Sequence, residues 1–265
     1  MKTLNCKVIC GDTFKVLPTL EEGSIDLVIT SPPYNVGKEY EEQLSQEEYL
    51  KWMKGWIKHI PRLLSEKGSF VLNLNDRVIN GERTLIIPKL WLYCVEELGL
   101  HFIEMYIWNK QKMLPLKSDK RATDVFEYVY HFSKTMNFHF DHDPVRRPYA
   151  ESSVNRMNYT LIKRWSRERG KEYTKRKKVK PHPLGALPKN LLDISSQIDN
   201  QIHTAVFPPE LPEFFIKALT EKEDVILDPF NGSGTTGMVS RDNFRNYIGI
   251  DIDPEYCKIS WNKIS

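Results

Sequence analysis

The stretch Ile25-Asp26-Leu27-Val28-Ile29-Thr30-Ser31-Pro32-Pro33-Tyr34-Asn35 sets a hydroxyl, two prolines and an aromatic ring directly after an apolar, β-branched run. Such a run reads as a buried strand, and the prolines stop it. Pro32 and Pro33 fix two φ angles and remove two backbone donors, which leaves outward carbonyls unpaired. The expected result is a rigid ledge of acceptors, the Ser31 hydroxyl and the Pro32 carbonyl, beside the face of Tyr34. In open α/β sheets ligands bind at the carboxyl ends of strands. A ledge of this kind suits a planar ring bearing an NH2 group, such as a nucleobase.

A second stretch, Val225-Ile226-Leu227-Asp228-Pro229-Phe230-Asn231-Gly232-Ser233-Gly234-Thr235-Thr236-Gly237, runs from a short apolar strand into a glycine-rich turn and a helix. Gly232 and Gly234 allow close approach of a ligand to the backbone, and the helix start offers free N–H groups. Asp251 ends the next strand, Tyr247-Ile248-Gly249-Ile250, at the position where nucleoside-cofactor folds hold a ribose diol. No Gly-Lys-Ser/Thr follows, which excludes a phosphate-binding P-loop. Alone, this stretch predicts a nucleoside-type cofactor.

Taken together, TSPPYN at 30–35 and DPFNGSGTTG at 228–237 resemble the catalytic tetrapeptide and the cofactor loop of the amino-group DNA methyltransferases, which use S-adenosylmethionine. The order of the parts, catalytic motif first, cofactor loop last and a basic segment between, resembles the β-class permutation. The resemblance extends from Gly11-Asp12 to Tyr256, except in the basic segment. It implies an α/β Rossmann-like methyltransferase fold: a mostly parallel seven-stranded sheet with an antiparallel strand, circularly permuted, with a basic target-recognition insert. Residues 1–143 would form the catalytic half, 144–200 the insert and 201–265 the cofactor-binding half.

The resemblance also implies roles. Ser31, Pro32, Pro33 and Tyr34 would be catalytic. Asp228 and the 232–234 turn would hold the methionine end of S-adenosylmethionine, with Phe230, Ser233 and Thr235 in the same set. Asp251 would take the ribose hydroxyls and Asp12 would touch the adenine, although Asp12 also reads as a plain helix N-cap. Thr204 and Phe207, in the segment His203–Glu210, would lie near the methionine end.

Of the 265 residues, 40% are hydrophobic and 28% charged, ordinary for a globular chain of one large domain. No apolar run of about 18 residues is present and the start does not read as a signal peptide, so the expected location is the cytoplasm, without a membrane. Cys6, Cys10, Cys94 and Cys257 form no CxxC pair and read as reduced thiols. None follows a proline as the nucleophile of cytosine-C5 methyltransferases does. The net charge of +3 is unevenly spread. Residues 144–190 hold 14 Lys/Arg against 3 Asp/Glu, a balance of +11, so the rest carries −8. Such a block marks a nucleic-acid-facing patch or a solvated face. Arg146, Arg147, Arg156, Lys163, Arg164 and the run Lys175-Arg176-Lys177-Lys178 are the candidate DNA contacts, interleaved with Tyr149, Tyr159, Trp165 and Tyr173. Double-stranded DNA is the expected partner. A cognate restriction endonuclease and a homodimer are compatible with the family resemblance.

The elements that must position these residues follow from periodicity. Residues 7–10, 69–74, 102–108 and 125–132 read as further strands, and 47–64, 85–98, 209–219 and 254–263 as helices. The aromatic stripe of 47–64 reads as core packing. Residues 36–43 read as a loop, either a lid over the target base or a plain connector. His139, Asp141, His142 and Asp143 have metal-ligand side chains, but the transfer chemistry needs no metal, and a polar strand end is the favoured reading. Three functions remain open: a cytosine-N4 DNA methyltransferase, favoured by Ser31; an adenine-N6 enzyme, which in this family more often has Asp at that position; and a non-catalytic nucleic-acid-binding module.

Overall fold

The computed structural model describes residues 4–35, 44–79, 81–110, 120–158, 164–165, 172–173, 181–195 and 208–265. It divides into two compact units, 1–141 with 189–265, and 142–188.

The larger unit is built on an eight-stranded sheet. Its strands are β1 (Cys6–Cys10), β2 (Ile25–Thr30), β3 (Leu64–Leu74), β4 (His101–Asn109), β5 (Phe126–Ser133), β6 (Leu191–Asp193), β7 (Val225–Asp228) and β8 (Asn246–Asp251). They lie in the order β1-β8-β7-β2-β3-β5-β4-β6. Only β5 runs antiparallel to its neighbours, β3 and β4, and every other pairing is parallel. The mostly parallel permuted sheet expected from the sequence is therefore present, with one strand more than seven. That strand, β6, is three residues long and lies within 144–200; it pairs with Ile107–Asn109 at the edge.

Helices cover the sheet: α1 (Thr13–Val16), α2 (Gln46–Ile57), α3 (Ile60–Leu63), α4 (Ile86–Leu92), then, beyond α5 (Glu151–Asn158) of the smaller unit, α6 (Glu210–Leu219), α7 (Thr235–Asp242) and α8 (Pro254–Ile264). A capping box starts α2: Ser45 Oγ accepts from Glu48 N at 3.3 Å and Glu48 Oε2 accepts from Ser45 N at 2.9 Å. The single helix expected over 47–64 is broken after Ile57. Pro61 has no N–H for the Ile57 carbonyl and its ring crowds that group, so a new turn begins at Ile60. The helix expected over 85–98 likewise changes at Tyr93 to a π-helical turn through Glu97.

Alternation along the strands divides the core between two faces. Val28, Phe70, Leu72 and Leu227 join Met53, Trp56, Ile57 and Ile60 in one cluster. Ile29, Val71 and Val129 instead face Leu211 and Phe215 of α6 around a small apolar cavity. The carboxyl end of β2 is thereby packed on both sides, which makes the loop leaving it a rigid support. No helix among the described residues is long and apolar enough to cross a membrane.

Candidate active site

The ledge begins where β2 ends. Pro32 is buried, while Ser31, Pro33 and Tyr34 are half-buried. Tyr49 of α2 donates its hydroxyl to the Pro33 carbonyl at 2.7 Å, so the aromatic stripe of α2 braces the proline pair as well as the core. Asn35 takes a left-handed φ of 56° and its side-chain amide pairs with Leu44 N at 2.9 Å and Leu44 O at 2.8 Å. The Tyr34 hydroxyl donates to Glu127 Oε2 at 2.8 Å and lies 3.1 Å from Ser31 Oγ. Burial, followed by the neighbouring Glu127 carboxylate, pushes the Tyr34 phenol well above its ordinary range.

The glycine turn follows β7. Gly232 (φ 50°) and Gly234 (φ 83°) both occupy the left-handed region. A Cβ on Gly232 would meet nothing within 4 Å among the described residues, so the turn leaves open space on their side. A Cβ on Gly237, at G-x-G-x-x-G spacing from Gly232, would fall 2.3 Å from Ile264 and 2.6 Å from Tyr247, so α7 can lie against β8 and α8 only without one. Asn231 stiffens the turn: its Oδ1 accepts from Tyr247 Oη at 2.7 Å and Ser260 Oγ at 3.2 Å. Asp251 Oδ2 accepts from Gly232 N at 2.7 Å and its Oδ1 from Asp253 N at 3.0 Å. Burial raises the Asp251 carboxyl above its ordinary value, with backbone bonds from Asp253, Gly232 and Ile252 opposing. A carboxylate offers about four lone-pair sites, more than these backbone donors fill, which leaves acceptor capacity for a further donor.

Asp228 is placed differently from Asp251. It is 1% exposed, and its carboxylate is taken up by Thr30 Oγ1 at 2.7 Å, Thr236 Oγ1 at 2.8 Å and Phe230 N at 3.1 Å. Those bonds tie the last residue before Ser31 to the first turn of α7. Asp12 caps α1 by accepting from Phe14 N at 2.9 Å. Its neighbour Gly11 donates to the Asp251 carbonyl at 2.8 Å, which brings Asp12 beside Asp251. Phe230 packs between Trp52 and Trp56, with ring centroids 5.3 and 5.1 Å away. Buried Ser233 accepts from Lys263 Nζ at 3.1 Å, and Thr235 opens α7.

The fold thus brings Ser31–Tyr34, Asp228–Thr235, Asp251 and Asp12 to one end of adjoining parallel strands. Thr204, Phe207, Lys163, Lys175, Arg176, Lys177, Lys178 and the loop 36–43 lie outside the described residues, as do the side chains of Arg156 and Arg164. Within the smaller unit Arg146 binds Asp143 Oδ1 at 2.7 Å and the Gly185 carbonyl at 3.0 Å, while Arg147 Nε binds the Leu187 carbonyl at 3.1 Å. Both guanidiniums fasten that unit together. Sequence reading missed Glu127, Asn73, Thr30 and Thr236. A carboxylate inside the apolar strand Phe126–Ser133 was the signal for the first, and the two threonines stand within the quoted motifs.

A permuted, mostly parallel sheet with an acceptor ledge after β2 and a glycine turn after β7 is that of a Rossmann-like methyltransferase. Residues 25–262 match the N6/N4 DNA methylase family, and the chain belongs to it. It is 30% identical to the type II methyltransferase M.PvuII of Proteus hauseri over 288 residues, covering 97% of this chain and 83% of that protein. Identity to M.ScaI of Streptomyces caespitosus is also 30%, over 270 residues, with coverage of 96% and 79%. Among solved structures, the PvuII DNA methyltransferase (cytosine-N4-specific) superposes with a TM-score of 0.76 at 28% identity, covering 99% of this chain and 87% of that one. A complex of M1.HpyAVI with S-adenosylmethionine shares the fold, with a TM-score of 0.61 at 19% identity and coverage of 98% and 100%.

Proposed function

We propose that this DNA methyltransferase transfers a methyl group from S-adenosylmethionine to the N4 amine of a cytosine flipped out of double-stranded DNA. The observation that carries the reading is the neutral, short Ser31 at the head of a ledge whose other members, the Pro32 carbonyl and Tyr34, suit an exocyclic amine. The similarity to a PvuII enzyme named as cytosine-N4-specific supports the same base.

The cofactor fits the residues present. Open space at Gly232, free N–H groups at the start of α7 and the spare lone pairs of Asp251 suit a nucleoside with a diol and a charged amino-acid end. In this reading Asp251 takes the ribose and Asp12 the adenine side. Phe230 and the turn Gly232-Ser233-Gly234-Thr235 shape the methionine end, and Asp228 fixes that turn against β2. Thr204 and Phe207 belong to the same set by family resemblance. Bound S-adenosylmethionine supplies an electrophilic methyl group.

The chain's own residues make the amine reactive. An exocyclic amine is a poor nucleophile because its lone pair is delocalised into the ring. Ser31 Oγ and the Pro32 carbonyl accept its two hydrogens and turn the lone pair out of the ring plane, while Tyr34 stacks on the base. Attack leaves the nitrogen cationic and its proton acidic, so positioning supplies most of the rate. Flipping costs roughly a few kcal/mol, offset by this stacking and by phosphate contacts from 144–190. The relatives named as type II methyltransferases support a role in a restriction-modification system, and in this reading the chain works beside a cognate endonuclease in the cytoplasm.

Mass spectrometry of nucleosides from DNA of expressing cells tests the reading, with N4-methylcytosine expected. N6-methyladenine in its place reassigns the base, and no methylated base at all sinks the catalytic reading.

A further inference from the structure

Glu127 stands at the end of a hydrogen-bond chain that begins at Ser31. Its Oε2 accepts from the Tyr34 hydroxyl at 2.8 Å and from Asn73 Nδ2 at 3.1 Å, and its Oε1 is paired with Lys110 Nζ. Asn73 is 4% exposed and also donates to the Tyr128 carbonyl at 3.0 Å, so its amide orientation is fixed. Glu127 therefore faces three donors, and a carboxylate only accepts. The single Tyr34 proton is committed to it. In the 3.1 Å contact between Ser31 Oγ and Tyr34 Oη, the phenol oxygen is then the acceptor and Ser31 the donor. A serine hydroxyl has one proton and two lone pairs. With the proton turned inward to Tyr34, only lone pairs face the ligand side.

We propose that Glu127 is a positioning residue that sets the direction of the chain Ser31→Tyr34→Glu127, and so makes Ser31 an obligate acceptor matched to a base amine and mismatched to a keto oxygen. The proposal rests on the methyltransferase reading above and deepens it. Without Glu127 the Tyr34 proton is free to point at Ser31, whose own proton then faces the amine and opposes it. The raised phenol keeps the proton on Tyr34 throughout, so the chain orients without transferring charge.

Single-turnover methyl transfer by Glu127→Leu should fall on the order of 10- to 100-fold, the equivalent of one misdirected hydrogen bond, while Glu127→Gln, which keeps an amide oxygen for Tyr34, should fall less. Cofactor and DNA dissociation constants should stay within about twofold of the original protein, and Glu127→Asp should recover part of the rate. Unchanged transfer in Glu127→Leu overturns the proposal and leaves the methyltransferase reading standing. The direction of the chain is read independently of any transfer from the Tyr34 hydroxyl proton in NMR spectra. That resonance should move in Glu127→Leu and hold in Ser31→Ala. A signal that responds to Ser31→Ala and ignores Glu127→Leu shows the chain running the other way and overturns the proposal even if no DNA is methylated.

Discussion

Thr30 Oγ1 donates to Asp228 Oδ1 at 2.7 Å across 198 positions of sequence, and with the Thr236 bond to the same carboxylate it ties the acceptor ledge to the start of α7. The partner is unusual because it is buried. Desolvation, partly opposed by Thr30, Thr236 and Phe230 N, pushes the Asp228 carboxyl from 3.8 up to about 6.

A raised carboxyl binds its proton more tightly in the folded chain than in the unfolded one. Its contribution to stability is therefore complete below pH 3.8 and is lost as pH rises through about 6. A rise of roughly two units corresponds to about 3 kcal/mol between those limits. Asp228→Asn keeps the shape and the Oδ1 acceptor but cannot ionise. Urea unfolding from pH 4 to 7 should show the variant gaining on the original protein by up to this amount. Parallel curves across the window would mean that Asp228 does not titrate there.

Gly232 and Gly234 share a left-handed backbone but not the same surroundings. A Cβ on Gly234 would sit 2.3 Å from Ser260 Oγ and 2.8 Å from Ser260 Cα, whereas one on Gly232 meets nothing within 4 Å among the described residues. Gly232→Ala should cost about 1–2 kcal/mol of stability from backbone strain alone. Gly234→Ala should add an overpacking penalty of about 1–3 kcal/mol. Denaturant midpoints of the two variants measure the difference, and equal costs would contradict the packing of α8 on the turn.

For Asp251, two variants separate ligand contact from loop support. Asp251→Ala should weaken S-adenosylmethionine by about 1–3 kcal/mol, the loss of a charged hydrogen bond to the diol. Asp251→Asn retains an acceptor for Gly232 N and removes only the charge. If calorimetry finds Asn as weak as Ala, the carboxylate itself meets the ligand. Unchanged affinity in the Ala variant removes Asp251 from the site.

Much of this was legible in the sequence for a definable reason. Each end of the site is a local signal: prolines after an apolar run at 32–33, glycines before a helix at 232–234, an acid at a strand tip at 251. What was not legible depends on pairing between distant strands. Glu127 reaches Tyr34 only because β5 lies antiparallel beside β3 and places Val129 opposite Asn73. No spacing within either strand encodes that register. The three-residue β6 is too short for alternation to reveal it, and the π-helical turn at Tyr93–Glu97 leaves the helical spacing of its apolar residues nearly intact.

The run Lys175-Arg176-Lys177-Lys178 gives the last prediction, sharpened by Arg146 and Arg147. Those two guanidiniums are taken up by Asp143 and by the Gly185 and Leu187 carbonyls, so their substitution should lower stability more than DNA affinity. In the proposed reading the charge for binding phosphates then falls to the other cations of 144–190, of which this run is the densest. Neutralising all four should flatten the slope of log K against log salt by about 0.9 for each phosphate that no longer meets a cation. Cofactor affinity should stay unchanged, because the residues proposed for the cofactor lie in other segments. DNA binding titrated from about 50 to 200 mM salt covers the range where such slopes separate. An unchanged slope would make the run a solvated face and move the phosphate-binding cations elsewhere in the chain.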